Sequence, residues 1–150
     1  MTSVTFSEYS AMQEARQNIA LAVLGYTYEL CQALRQDYIN YGIKSILRLD
    51  GSDYNKARLD DLRAGNCGSV DFIVETGRKY HKIIHIDGGG SRSVHAFVDK
   101  KTGELYKSAS FKAPAKGVRF DLRIIRDREF VLKNCDWAGG YLYRNASYAG

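Results

Sequence analysis

The sequence predicts an α+β domain. It has a long N-terminal helix, a short second helix, an antiparallel β-meander and a short C-terminal segment. Three observations predict this. A three-and-four apolar spacing runs from Met12 to Tyr38. Short β-rich runs separated by Gly-containing turns fill residues 70–108. The character of the chain changes near residue 65, which divides it into a helical half, 1–65, and a β-rich half, 66–150, of a single domain.

The first helix starts at a capping box, Thr5-Phe-Ser-Glu8, in which the Thr5 hydroxyl accepts from the Glu8 N–H and Glu8 reaches back. Val4 and Tyr9 stand at the positions of a hydrophobic staple. Met12, Ala15, Ile19, Val23, Tyr26, Leu30, Ala33, Leu34 and Tyr38 then form one stripe to about Tyr41, with Gly42 as C-cap. The stripe is roughly 50 Å long, more than a domain of this size needs for its own core. The helix can pack on its own sheet alone. Its length, and the small residues Ala20, Ala22 and Gly25 beside the stripe, favour a homo-oligomer interface as well. Ile43 to Leu49 extends or connects the helix. Ser52 or Asp53 caps a second helix over Tyr54–Arg63, with Leu59 and Leu62 on its buried side and Gly65 at its end.

In the second half, strands are expected over Val70–Glu75, Lys79–Ile86, Val94–Asp99 and Glu104–Ser108, with hairpin turns at Thr76-Gly77 and Lys100–Gly103. Asp87–Arg92 is a flexible loop. Val118–Leu132 reads equally as strand or helix.

Composition limits the function classes. The net charge of +5 suits an anionic partner. Cys31, Cys67 and Cys135 are dispersed and odd in number, against a disulfide framework or a zinc knuckle. The N-terminus lacks the layout of a signal peptide, and the apolar run Ile19–Tyr28 is too short to span a bilayer. A soluble, unexported protein is expected. Gly88-Gly89-Gly90 lacks the Lys-Ser/Thr and the following helix of a phosphate loop. His81, His85 and His95 lie on adjacent strands but lack a specified further metal ligand beyond Asp87. No paired carboxylates or nucleophile–base set marks catalysis, so neither catalytic residue, metal nor cofactor is expected.

Residues 106–121 remain. Pro114 forces an extended residue before it, and Gly117 permits a sharp bend. The bend carries Phe111, Lys112, Lys116 and Arg119, with Asp121 just beyond. A nucleotide site needs a π-face, fixed cations and short polar groups, and all three occur between Phe111 and Asp121. The same residues also fit a structural loop with solvated lysines. Arg119 is the natural pyrophosphate clamp, because its planar fork bonds two oxygens at once. Near the C-terminus, Trp137 and Arg144 either close such a site or serve as core and surface.

The run Val94–Leu122 resembles the core motif of small tailed-phage proteins, the Thoeris anti-defence proteins of the first-described type. In these an aromatic-Lys-x-Pro-Ala-Lys-x-x-Arg element, here Phe111–Arg119, follows an Asp-Lys-x-Thr-Gly hairpin, here Asp99–Gly103. The resemblance is specific over about 30 residues. It implies a sponge, acting in the cytoplasm of an infected bacterial host. Such proteins hold the cyclic ADP-ribose isomer made by a bacterial TIR-domain immune enzyme without cleaving it, so the NAD-depleting effector stays off. Some members take up cyclic oligonucleotides at separate sites, and a partner protomer helps to form the pocket. The resemblance makes Phe111 the aromatic at the base. It also puts Asp121 where the family pattern has Asn, a departure, since a carboxylate accepts from ribose hydroxyls but repels phosphate. The rival readings are a nucleic-acid-binding accessory protein and a phosphoesterase that degrades the signal.

Overall fold

A computed structural model describes residues 3–49 and 51–143. It shows the α+β architecture: α1 (Phe6–Leu47), α2 (Asp53–Arg63), β1 (Asp71–Thr76), β2 (Tyr80–Ile86), β3 (Arg92–Asp99), β4 (Glu104–Lys107), β5 (Phe120–Asp121), α3 (Ile125–Asn134) and a 3₁₀ turn over Gly140–Leu142. The capping box is formed: the Glu8 N–H donates to Thr5 Oγ1 at 3.1 Å, and the Thr5 N–H donates to the Glu8 carboxylate at 3.4 Å.

α1 does not stop at Gly42. It runs on to Leu47, so Ile43 extends the helix. Gly42 is a packing position instead. A Cβ there would lie 2.9 Å from Leu62 Cδ1, so its absence lets α2 press its one fully buried side chain against α1. Ser52 caps α2, its Oγ accepting from the Asn55 N–H at 3.3 Å.

The sheet is an antiparallel meander in the order β1-β2-β3-β4-β5. The first hairpin turn falls two residues later than its Thr-Gly signal. Thr76 pairs with His81 and the Gly77 N–H donates to the Tyr80 carbonyl, which leaves Arg78-Lys79 at the tip. Between β2 and β3, Ala96 faces Ile83 and Val94 faces Ile84, so His95 is the extra residue of a β-bulge. The ambiguous stretch 118–132 resolves into both candidates, β5 followed by α3.

α1 crosses one face of the sheet. Val23, Leu30 and Leu34 of α1, Ile83, Val98, Leu105 and Phe120 of the sheet, and Val131 of α3 form one core cluster. Both halves of the chain therefore share a core. The predicted stripe is buried only from Val23 onward, while Phe6, Tyr9 and Met12 are 85%, 53% and 44% exposed. The first turns of α1 therefore carry exposed apolar side chains that the sheet does not cover.

Candidate functional site: a cleft at one end of the sheet

Where the ends of β2 and β4, the start of β3 and the C-terminal turn meet, a cleft of about 320 Å³ opens. Its walls include His85, His95, Lys107, Ser108, Trp137 and Tyr143. Three of them are placed by identifiable contacts. The bulge frees His95 from ladder alternation, and its Nε2 lies 2.8 Å from Tyr141 Oη. His85 stacks on Phe72 at 4.7 Å between ring centroids. Trp137 is fixed through its N–H, which donates to Asp37 Oδ2 of α1 at 2.8 Å, and its ring packs against Tyr38 and Tyr41 at 5.4 and 5.3 Å. The turn behind it is closed by Asp136, whose two carboxylate oxygens accept from the Gly140 and Tyr141 N–H groups. Gly139 sits at φ +87°, a left-handed conformation that favours glycine, with His95 beside it.

Lys107 supplies the cleft's cation. Its Nζ lies 4.7 Å from the Tyr143 ring centroid and donates to the Ser108 carbonyl at 3.3 Å. One contact is a single hydrogen bond and the other a ring face, so most of the ammonium's three donors remain for a ligand in the cleft. Together the walls offer aromatic faces, a cation and two hydroxyls, Ser93 and Ser108.

Of the residues expected to bind a nucleotide, only Trp137 of the described set lines this cleft, together with His85 and His95 of the strand histidines. Arg119 stands behind it with Nε and Nη1 already engaged, which leaves only Nη2 to meet a ligand. It is 9% exposed, and its guanidinium is bonded to main-chain carbonyls: Nε to Leu142 at 2.9 Å, Nη1 to Lys116 at 2.7 Å and to Gly117 at 2.6 Å. It ties the proline bend to the C-terminal turn at the cleft's lip. Burial with three carbonyls to satisfy explains an arginine here as fully as a phosphate would. Phe111 lies elsewhere. Lys82 alternates with the core-facing Ile83, and its Nζ sits 4.8 Å from the Phe111 ring centroid while donating to the Phe111 carbonyl at 2.8 Å. Phe111 therefore covers the sheet face away from α1, and one protomer does not bring it to Trp137. Lys116 is exposed on the bend. Asp121 is occupied locally, its Oδ1 accepting from the Arg123 N–H at 2.9 Å. Arg144 lies outside the described residues.

Lys107, His85 and His95 were not legible as cleft residues. They come together through the bulge and through a contact 100 residues long, Trp137 to Asp37. The short run Asp136–Gly140, an acceptor followed by two glycines, is the one local signal of a built turn.

Among the described residues no group of histidine, cysteine and carboxylate side chains is placed to hold a metal ion. The histidines are tuned toward the neutral form. His95 is lowered to about 4, by burial first and by neighbouring His85 second, with Asp136 opposing. His81 and His85 are lowered too, mainly by burial. A histidine depressed in the folded state contributes stability that is complete above its unfolded value near 6.5 and is lost as pH falls toward the folded value. We expect unfolding free energy to drop by about 2–3 kcal/mol for His95 between pH 7 and pH 4. Urea titrations of His95→Gln across that range should give a flatter profile than wild type. An equal slope in both would show that His95 does not set it.

No helix among the described residues is long and apolar enough to cross a membrane. No curated protein and no solved structure matches the chain. A family model does, over residues 6–144, and the chain belongs to that family, a family of unknown function (DUF7717).

Proposed function

We propose that this protein sequesters a cyclic ADP-ribose-type signalling nucleotide, holding it intact and so keeping a Thoeris effector inactive in the cytoplasm of a phage-infected bacterium. The observation that carries this reading is the cleft's composition. Trp137 and Tyr143 offer ring faces to a purine, Lys107 a cation to a pyrophosphate, and Ser93 and Ser108 hydroxyls to ribose. The motif from Asp99 to Arg119 supports it by resemblance, and Arg119 joins that motif to the cleft's lip.

A cleft of about 320 Å³ is at the lower end of small-molecule sites, roughly 300–1,000 Å³. A purine, two riboses and a pyrophosphate fill more than that, so one protomer leaves part of the ligand uncovered. A second copy completing the wall fits this, and the uncovered apolar turns of α1, with Phe6, Tyr9 and Met12 exposed, are the proposed contact between copies.

Sequestration demands tight binding. Nanomolar affinity is about −12 kcal/mol. A stacked base contributes about 1–3 kcal/mol and a charge-assisted bond about 1.5–3 kcal/mol, so enclosure by a second copy is needed to reach it. Native mass spectrometry with the cyclic ADP-ribose isomer tests the reading directly. The expected spectrum is an oligomer carrying one ligand per cleft, and heat denaturation should release the ligand at unchanged mass. A released ligand of altered mass would mean a phosphoesterase, and a ligand-free spectrum would end the sponge reading.

A further inference from the structure

We propose a second anion site: the groove at the opposite end of the sheet binds a chain of phosphates. The groove, about 930 Å³, lies between α1 and the tips of two hairpins. Arg16 comes from α1, Arg78 and Lys79 from the β1–β2 tip, and Lys100 and Lys101 from the β3–β4 tip. His85, Ser93 and Lys107 of the cleft stand at the far ends of β2, β3 and β4, so the two sites share no residue. The groove is independent of what the cleft holds.

Three observations carry the assignment. First, positive charge is in excess, five cations against the one carboxylate of Asp99, and among the described residues none of the five is in an ion pair. The carboxylate in the lining, Asp99, is 8% exposed, and its Oδ1 accepts from the Lys101 and Thr102 N–H groups, so it is spent on the turn. Second, the cations stand on a fixed frame. The Lys100 N–H donates to the Lys79 carbonyl at 3.0 Å and its Nζ donates to the Gly77 carbonyl at 3.0 Å, which locks one hairpin tip to the other. Lys100 is therefore a brace, and Lys79 Nζ lies 5.4 Å from the Tyr80 ring centroid, leaving Arg16, Arg78 and Lys101 as the cations most available to a ligand. Third, the described lining contains no aromatic ring. Such a site has no stacking platform for bases, so it reads a phosphate chain and no sequence.

The chain can be that of a nucleic-acid strand or of a short polyphosphate. The test is fluorescence anisotropy of a labelled 20-residue oligothymidylate between 50 and 200 mM salt. Single strands lose affinity with a log–log slope of about −0.7 per phosphate contact. Contact with three or four phosphates gives a slope of about −2 to −3, which is about a 30-fold loss over that range. In the double variant Arg78→Glu/Lys101→Glu, at exposed turn positions, affinity should fall at least tenfold and the slope should flatten by about 1.4. Lys107→Ala should bind the strand as wild type does. Displacement by inorganic tripolyphosphate at concentrations that leave orthophosphate inert identifies a short polyphosphate as sufficient, and failure of displacement identifies the strand. Salt-independent binding would overturn the proposal. So would wild-type affinity in a double variant whose circular dichroism and melting are normal, or equal displacement by polyglutamate, which would indicate an acidic protein partner.

Discussion

Replacing Arg119 by methionine is expected to destabilise the fold by about 3 kcal/mol, seen as a fall of about 10 °C in the melting temperature. Methionine fills much of the same volume but leaves the carbonyls of Lys116, Gly117 and Leu142 without their charged donor in a nearly closed site. Bonds to a charged donor contribute about 1.5–3 kcal/mol each, and part is recovered where water reaches the exposed edge. Arg119→Lys should recover little, because one ammonium cannot match carbonyls approached by two different guanidinium nitrogens. The loss should extend to the C-terminal turn. Amide exchange at Leu142 and Tyr143 should quicken in the variant before it does in α1. If Arg119 instead acts on ligand alone, the melting temperature stays within about 1–2 °C of wild type while binding is lost, and its bracing role is refuted.

The fold was readable where local chemistry decides it. The Thr5–Glu8 box, the Ser52 cap and the order of the strands all follow from side chains acting on their own backbone neighbours. Reading failed where a distant partner decides. Gly42 has the composition of a cap, yet Leu62 of α2 determines its role. The apolar stripe of α1 continues unbroken in sequence, but it packs on the core only from Ile19 and is fully buried only from Val23. The site was less legible than the fold. Phe111, Arg119 and Asp121 lie within eleven residues of each other, but proximity in sequence is not convergence in space. Different local contacts separate them instead: Phe111 covers the outer face, Arg119 turns to main-chain carbonyls, and Asp121 closes its own turn. The cleft is assembled from strand ends and the C-terminal turn, which share no sequence signal.

The complementary experiment concerns Lys107, and its expected effect falls on binding instead of stability. The side chain makes one 3.3 Å bond to an adjacent carbonyl and one contact with the exposed Tyr143 ring, so its truncation should leave the melting temperature nearly unchanged. If the cleft holds a pyrophosphate-containing ligand, Lys107→Ala removes a charge-assisted bond worth about 1.5–3 kcal/mol, or about 10–150-fold in dissociation constant. Lys107→Glu should lose more, since a carboxylate near 4 Å from a phosphate is repelled by about 4 kcal/mol at the effective dielectric of a protein surface. Lys107→Arg should retain most affinity. Isothermal titration at two ionic strengths reads all three variants, and the gap between alanine and wild type should narrow as salt screens the charge. Unchanged affinity in Lys107→Glu would remove the cleft as the ligand site while leaving the fold assignment intact. Arg119 and Lys107 thus separate two roles a cation can play beside one cleft. The arginine should move stability first and binding only through the lip it braces, and the lysine should move binding alone.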